Sequence, residues 1–238
     1  MIETWIAERG LGWEDSQSAQ AQAGAVAVHI QMALQQAIAQ RGRASLALSG
    51  GRGPALFLRC LEQLDLAWEK VTVTQVDERW VPPQDAQSNA RLIQQCMPRV
   101  LQRATWLPMY QGRGLEADAQ HCHAMLEPLL PLDVVVLGMG PDGHTASLFP
   151  HMPGLSEYLS AQTPAVCIAV PAEGERVARL SMTARAIQSA RLKMLVFAGE
   201  DKRQTLGAAV QAADPLSWPI AAFLTPPMDI FFTKEQQP

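Results

Sequence analysis

The sequence predicts an α/β protein with a mostly parallel, Rossmann-like open sheet, helices on both faces, and a small antiparallel addition in the C-terminal third. Short apolar or β-branched segments alternate along the chain with longer segments of helical periodicity. In Val134–Leu137 no polar residue interrupts the apolar run, which is typical of a parallel strand covered on both faces. The 238 residues, 48% of them apolar, suffice for a substantial core, and we expect a single domain over residues 1–238.

The first half of the chain supplies two helices and two strands. Residues 17–40 carry an apolar stripe at helical spacing, and a short strand is expected at 45–48. A second helical stripe follows over 56–64. Residues 71–76 alternate Val and Thr before Gln and Val, and this β-branched run predicts a strand. The polar, proline-containing stretch 77–87 indicates a loop.

The middle of the chain continues the alternation. A helix is expected to begin near Ser88 and to stop by Met97, because Pro98 cannot continue it. A short strand is predicted at 105–109 and a helix from 115 to about 127.

The C-terminal third gives weaker signals. Residues 165–170 and 177–182 are expected to be strands that pair with each other, and 194–198 another strand. A helix is predicted over about 201–213, and residues 234–238 are interpreted as a loose tail.

Composition and charge exclude several classes of function. The formal net charge of -4 argues against a nucleic-acid partner, which needs a basic surface. No apolar run approaches the ~20 residues of a membrane span, and the N-terminus lacks the pattern of a signal peptide. The four cysteines are widely spaced without a CxxC pair, which indicates buried free thiols, a reducing and therefore cytoplasmic compartment, and no structural zinc site.

The most informative segment follows the strand at Val134–Leu137. A glycine-rich turn over 138–143 contains Asp142, and His144 comes next. Ligands of open parallel sheets sit beyond the carboxyl ends of the strands, so both side chains are expected where chemistry takes place. Histidine is a ready proton acceptor near neutral pH, and Asp142 is placed to steer the ring. Residues 145–150 are expected to form a short helical turn that carries His144.

A second glycine-rich loop joins the strand at 45–48 to the helix after it. Its glycines expose backbone N–H groups, Pro54 suits the first turn of a helix, and the helix N-terminus adds partial positive charge. These features predict a phosphate-binding loop, although the spacing matches neither GxxxxGK[ST] nor GxGxxG. Its candidate residues are Ser49, Gly50, Gly51, Arg52 and Gly53.

Three ionisable residues, Asp77, Glu78 and Arg79, cluster at the carboxyl end of a predicted strand. A carboxylate beside a guanidinium is a candidate base or orienting pair, and Arg79 is able to hold an anion through two parallel hydrogen bonds. Two further cations, Arg179 and Lys202, lie near an expected strand and the start of an expected helix. The plain alternative for each is a solvated surface charge.

At these residues the chain resembles the 6-phosphogluconolactonase family. Residues 137–150 match the family pattern at every position, and 77–79 together with 88–89 match a second pattern. Two shorter segments, 179–183 and 199–202, are similar to further family patterns in the same order. The phosphate loop departs from the usual Ser-Gly-Gly-Ser-Thr-Pro, because Arg52-Gly53 fill its middle. A hydroxyl is lost there and a charge is gained.

The related glucosamine-6-phosphate deaminases resemble the chain less well. They continue from the shared Gly-x-Asp-Gly-His segment with Ile-Ala-Phe-Asn-Glu-Pro, in which the Glu assists the His in opening the sugar ring. Residues 145–150 read Thr-Ala-Ser-Leu-Phe-Pro and hold no carboxylate. The deaminases also tend to have Asp-Glu-Tyr where this chain has Asp-Glu-Arg at 77–79. Both differences favour the lactonase.

The resemblance implies hydrolysis of 6-phosphoglucono-1,5-lactone to 6-phosphogluconate in the oxidative pentose phosphate pathway, without metal or cofactor. His144 is the implied base, oriented by Asp142, with Asp77 as the alternative base. Arg79 or the backbone N–H groups of 138–143 are candidates to stabilise the oxyanion. The substrate phosphate is assigned to the residues 49–53, Arg52 among them, Arg179 and Lys202.

Three other functions stay open at this stage. One is a glucosamine-6-phosphate deaminase/isomerase, one is an inactive relative that keeps the pocket, and one is a non-catalytic sugar-phosphate sensor. Such a sensor normally carries a DNA-binding helical module, whereas the first 44 residues contain a single Gln-rich candidate helix. The expected partner is therefore a small sugar phosphate, with neither nucleic acid nor membrane, and the sequence leaves the oligomeric state open.

Overall fold

The computed structural model describes residues 2–51 and 53–235, and within them ten strands form two sheets. The strands are β1 (Gly12–Ser16), β2 (Ala44–Leu48), β3 (Val71–Gln75), β4 (Asp77–Arg79), β5 (Thr105–Leu107), β6 (Val134–Leu137), β7 (Cys167–Val170), β8 (Arg179–Met182), β9 (Leu192–Ala198) and β10 (Met228–Thr233). The helices are α1 (Ile2–Glu8), α2 (Ala19–Arg41), α3 (Ala55–Glu62), α4 (Asn89–Cys96), α5 (Pro98–Arg103), α6 (Leu115–Leu126), α7 (Leu155–Tyr158), α8 (Ala184–Gln188) and α9 (Glu200–Ala212). Short 3₁₀ turns lie at Trp68–Lys70, Glu127–Leu129 and Pro219–Phe223.

The main sheet is parallel throughout and runs in the order β1-β10-β9-β6-β2-β3-β5. In the central strand β6, Val134 and Val136 pack into a core cluster with α2 and α3, while Val135 and Leu137 pack into a second cluster with α6 and α9. Strand β6 is therefore buried on both faces, and the mostly parallel open sheet with helices on both sides is confirmed. Among the described residues, no helix combines the length and the apolar character that a membrane span requires.

The small sheet has the order β4-β8-β7 and is antiparallel. The pairing of the two strands predicted near 165–170 and 177–182 is confirmed. The prediction of a loop over 77–87 was wrong at its start, because residues 77–79 form β4 against β8. A polar strand is stable here because Glu78 is fully buried and its carboxylate is hydrogen-bonded.

Other differences from the predicted elements have local causes. Helix α4 ends at Cys96 as expected, yet Pro98 then opens α5, since proline fits a first helical turn. Residues 145–150 do not form a helical turn: Ala146 has a φ of 52°, and Thr145 and Leu148 form an isolated bridge instead.

Both ends of the chain hold structure that the sequence did not predict. Strands β1 and β10 are additional neighbours of β9 in the main sheet. The tail predicted over 234–238 is tethered at its start, because the backbone N–H of Ala19 donates to the carboxylate of Glu235 at 2.8 Å. Residues 236–238 lie outside the described part of the chain.

Candidate active site

A cleft of about 590 Å³ opens beyond the carboxyl ends of β2, β6 and β9. Loops from these strands meet residues of β4 and β8 there, as the edge of an open parallel sheet predicts. Nine of the residues singled out from the sequence line this one cleft: Ser49, Gly50, Gly51, Gly53, Asp77, Arg79, His144, Arg179 and Lys202. Asp142 does not line it but contacts His144. Arg52 lies outside the described residues.

The imidazole of His144 is held in a defined orientation. Its Nδ1 lies 2.5 Å from Oδ1 of Asp142, and its backbone N–H donates to the same oxygen. Because an ionised carboxylate only accepts hydrogen bonds, Nδ1 carries the proton and Nε2 holds the lone pair. A Cβ on Gly140 would lie 2.1 Å from Cε1 of the ring, so this position must be glycine for the imidazole to fit.

The carboxyl group of Asp142 is held in its ionised form. Partial burial acts to raise its pKa, but the hydrogen bond and the charge of His144 outweigh burial, and the pKa lies below its ordinary value. The ionised carboxylate therefore fixes which nitrogen of the imidazole carries the proton.

Asp77 is buried and fully engaged. Its Oδ2 accepts from the Ser147 hydroxyl at 2.6 Å, and its Oδ1 lies 3.3 Å from Nδ2 of Asn89. The Arg179 guanidinium approaches the same carboxylate at 3.7 Å. With both oxygens occupied, Asp77 is better placed to orient neighbours than to accept a proton.

Three arginines give one side of the site a positive charge. Arg79 and Arg179 lie directly opposite each other across β4 and β8, an arrangement in which like charges repel. Burial lowers the pKa of Arg179; Asp77 acts to raise it, and the charges of Arg79 and Arg176 lower it further. Within the described chain, the Nε atoms of all three arginines are buried without a hydrogen-bond partner. An anion bound here would relieve the repulsion and supply acceptors.

The loop after β2 approaches Asn89 very closely. A Cβ on Gly50 would lie 1.9 Å from Cγ and Oδ1 of that side chain, so glycine is required at this point. The Asn89 amide donates to the backbone oxygen of Asp77 at 2.8 Å, which ties the start of α4 to β4. In the described part of the chain, no group of three or more His, Cys, Asp or Glu side chains is placed to hold a metal ion.

Several residues of the site were not assigned a role from the sequence. Asn89 and Ser147 both bind Asp77, and both lie within segments that match the family patterns, which is the signal that would have found them. Arg176 lies outside the matched segments, and only its place near Arg179 in the folded chain identifies it. Glu78, by contrast, turns into the core and binds the first turn of α4.

Comparison with known proteins adds independent observations. The family model for glucosamine-6-phosphate isomerases/6-phosphogluconolactonase matches residues 17–230. A curated 6-phosphogluconolactonase of Pseudomonas aeruginosa is 38% identical over 224 residues, which cover 93% of this chain and 94% of the relative. Another, from Rhizobium meliloti, is 43% identical over 205 residues, or 85% and 88% of the two chains.

Solved structures show the same similarity. A crystal structure of a 6-phosphogluconolactonase from Shewanella baltica superposes with a TM-score of 0.88 at 31% identity, covering 94% of this chain and 97% of that one. A monomeric glucosamine-6-phosphate deaminase superposes with a TM-score of 0.74 at 16% identity, which shows a shared fold.

Proposed function

The chain belongs to the family of glucosamine-6-phosphate isomerases and 6-phosphogluconolactonases, and we propose that it hydrolyses 6-phosphoglucono-1,5-lactone to 6-phosphogluconate. The observation that carries this proposal is the cleft itself. The oriented imidazole of His144 lines it together with Arg79 and Arg179. Hydrolysis of a phosphorylated lactone requires a base, donors for the oxyanion and a cationic surface for the phosphate, and the first and the last of these are side chains of this cleft.

In this proposal Nε2 of His144 takes a proton from water as the water oxygen attacks the ring carbonyl. Asp142 keeps the proton on Nδ1 and stabilises the imidazolium that forms. The tetrahedral intermediate carries a negative oxygen, for which Arg79 and the backbone N–H groups of 138–143 are the candidate donors. Collapse of the intermediate expels the ring oxygen, which takes the proton back, and the open-chain carboxylic acid results.

The phosphate is proposed to bind between the loop at 49–53 and the cations Arg179 and Lys202. Of these residues, Ser49, Gly50, Gly51, Gly53, Arg179 and Lys202 border the cleft, and Arg52 lies outside the described residues. Binding energy from this remote group would orient the carbonyl carbon against the water. Arg52 and Gly53 stand where the usual family loop has hydroxyl-bearing residues. The loop thus offers the phosphate a positive charge in place of a hydroxyl, and it still suits an anion.

The direct test is hydrolysis of freshly generated 6-phosphogluconolactone, measured against the spontaneous rate. A rate proportional to enzyme concentration supports the proposal. No acceleration above the spontaneous rate by purified, folded protein would refute it.

The base assignment is tested by His144→Ala. We expect kcat to fall by about 10²–10⁴-fold while the thermal midpoint stays close to that of the wild type. His121→Ala, on α6 and outside the cleft, is the matched control and should keep full activity. Near-normal turnover of the His144 variant, together with a large loss in Asp77→Asn, would transfer the role to Asp77.

The clamp is tested by Arg179→Ala, for which we expect chiefly a higher KM because the lost contact is to a non-reacting group. Arg113→Ala, an exposed arginine outside the cleft, provides the control. If Arg179→Ala raises KM equally for the phosphorylated lactone and for a lactone that lacks phosphate, Arg179 does not bind the phosphate.

The deaminase alternative is not favoured by the geometry. In the deaminase pattern a Glu that assists the His stands at the position of Phe149. Here the Phe149 ring packs against the imidazole of His144 at 4.7 Å between centroids, so an aromatic ring takes the place of that carboxylate. Incubation with glucosamine 6-phosphate and an assay for ammonia distinguishes the two activities. We further propose a cytoplasmic location and a single domain, supported by four cysteines that are free thiols and by strands from both ends of the chain in one sheet.

A further inference from the structure

Phe149 is in contact with ionisable groups from two separate segments of the site. Its ring centroid lies 4.7 Å from that of His144, with an interplanar angle of 42°. The guanidinium carbon of Arg176 lies 3.7 Å above the same ring, and that of Arg179 lies 5.5 Å from it. The ring is almost fully buried and does not itself border the cleft. It therefore has no direct access to a substrate.

We propose that Phe149 is a positioning residue that holds the imidazole of His144 and the guanidinium groups of Arg176 and Arg179 in one fixed relation. We also propose that Arg176, which packs on Phe149 and does not itself border the cleft, adds a further positive charge to those of Arg179 and Lys202 that attract the phosphate. Both statements rest on the proposed function, because they assign the imidazole to chemistry and the arginines to an anion.

The position of Arg176 supports this role. Its guanidinium is held from one side by the carboxylate of Glu173 at 2.5 Å and from another by the face of Phe149, which attracts cations electrostatically. Its Nε is buried without a partner in the described chain. Arg176 and Arg179 thus lie against one aromatic ring, each beside a carboxylate, and a bound phosphoryl group would reduce the remaining repulsion between them and supply further acceptors.

The position of His144 is constrained in a complementary way. Asp142 binds Nδ1, and the ring of Phe149 packs against the imidazole in a tilted arrangement. One hydrogen bond alone permits rotation about the bond axis, whereas the added aromatic contact restricts it. Because one ring touches both groups, its loss should change the catalytic step and the binding step together, while loss of the Arg176 charge should change binding alone.

The experiment compares Arg176→Gln with Phe149→Leu. For Arg176→Gln we expect KM for the phosphorylated lactone, and the inhibition constant of inorganic phosphate, to rise on the order of fivefold, with kcat within about twofold of the wild type. For Phe149→Leu we expect the same rise in KM and, in addition, a fall in kcat of at least about fivefold.

Phe231→Leu is the matched control, because Phe231 is also a buried ring but contacts His29 instead of the site. It should lower the thermal midpoint as much as Phe149→Leu does, while leaving kcat and KM unchanged. If Phe149→Leu also leaves them unchanged, or if Arg176→Gln alters kcat and not KM, the inference is overturned.

Two readouts separate this inference from the proposed function. If the wild-type protein fails to hydrolyse the lactone, the proposed function fails, but calorimetric binding of inorganic phosphate still tests Arg176. Should Phe149→Leu not fold, unchanged phosphate affinity in the folded Arg176→Gln protein would still overturn the role of Arg176.

Discussion

Glu78 carries a charge-bearing group into the core and connects β4 to α4. The side chain is fully buried, and its carboxylate accepts five hydrogen bonds. The donors are Nε2 of Gln75, the hydroxyl of Ser88 and the backbone N–H groups of Arg79, Asn89 and Ala90. The last two belong to the first turn of α4, whose free N–H groups need an acceptor. Glu78 binds the backbone of Asn89, whose side chain contacts both Asp77 and Gly50. Glu78 therefore helps to position residues that line the cleft.

Replacing Glu78 with Ala should therefore destabilise the fold strongly. Buried donors would lose their acceptor, and we expect the free energy of unfolding in urea to fall by about 2–4 kcal/mol. Glu116→Ala, an exposed acidic residue in the first turn of α6, is the control and should change stability by less than about 1 kcal/mol. Equal effects of the two substitutions would contradict the role assigned to Glu78.

The same carboxyl group predicts a pH dependence. Burial raises the pKa of Glu78 above its ordinary value of 4.5, although its hydrogen bonds with Asn89, Ala90 and Gln75 oppose the shift. The native state thus holds this proton more tightly than the unfolded state. Protonation of Glu78 therefore adds to the free energy of unfolding, fully below pH 4.5, and this added stability is lost as the pH rises through the folded-state pKa. Urea unfolding across this range should show the stability difference between wild type and Glu78→Gln falling with pH. A difference that rises would show the opposite shift.

At the scale of elements, strands with distinctive composition were predictable and strands defined by partners were not. The β-branched run of β3 and the apolar run of β6 need no tertiary information, because their side chains alone favour a buried strand. Strand β4 is three polar residues, and it is stabilised by its pairing with β8 and by the hydrogen bonds of the buried carboxylates of Asp77 and Glu78. Likewise Asp77 and His144 were predictable because they follow predicted strands, whereas the contacts of Arg176 depend on how the segment before β8 meets the turn after β6.

Two glycines differ in the space available for a Cβ, so replacement with alanine should impair activity at one and increase stability at the other. Gly140, in the turn after β6, has the His144 ring 2.1 Å from where a Cβ would lie, so Gly140→Ala must displace the ring. We expect kcat to fall at least about tenfold with KM little changed, since the base and not the clamp moves. Steady-state kinetics decide this, and full turnover in the variant would contradict the tight fit.

Gly207 is the counterpart within α9, where a Cβ would meet nothing within 4 Å. Gly207→Ala should raise the free energy of unfolding by about 0.5–1 kcal/mol, because glycine in a helix interior loses more backbone entropy on folding. Urea denaturation measures the gain, and kcat should be unchanged. A destabilised variant would mean that α9 is packed more closely there than the structure shows.

The whole molecule is organised around a sheet whose last strand is internal. Strand β10 lies between β9 and β1, so the C-terminal segment is inserted between an early strand and a late one. Its side chains enter both core clusters: Ile230 and Phe232 pack on one face, and Phe231 packs on the other. The strand order could not be predicted from local patterns, because pairing of β1 with β10 joins segments more than 200 residues apart.

This placement makes a prediction about where the native state opens last. Backbone N–H groups of an internal strand buried on both faces exchange with solvent only in large unfolding events, whereas edge strands open locally. In native-state hydrogen exchange, we expect the amides of β10 to be protected as strongly as those of β9, and those of the edge strand β5 to exchange at least about tenfold faster. If the amides of β10 instead exchanged as fast as those of β5, the strand would be a loosely attached terminus. Its side chains would then not couple the unfolding of the two core clusters.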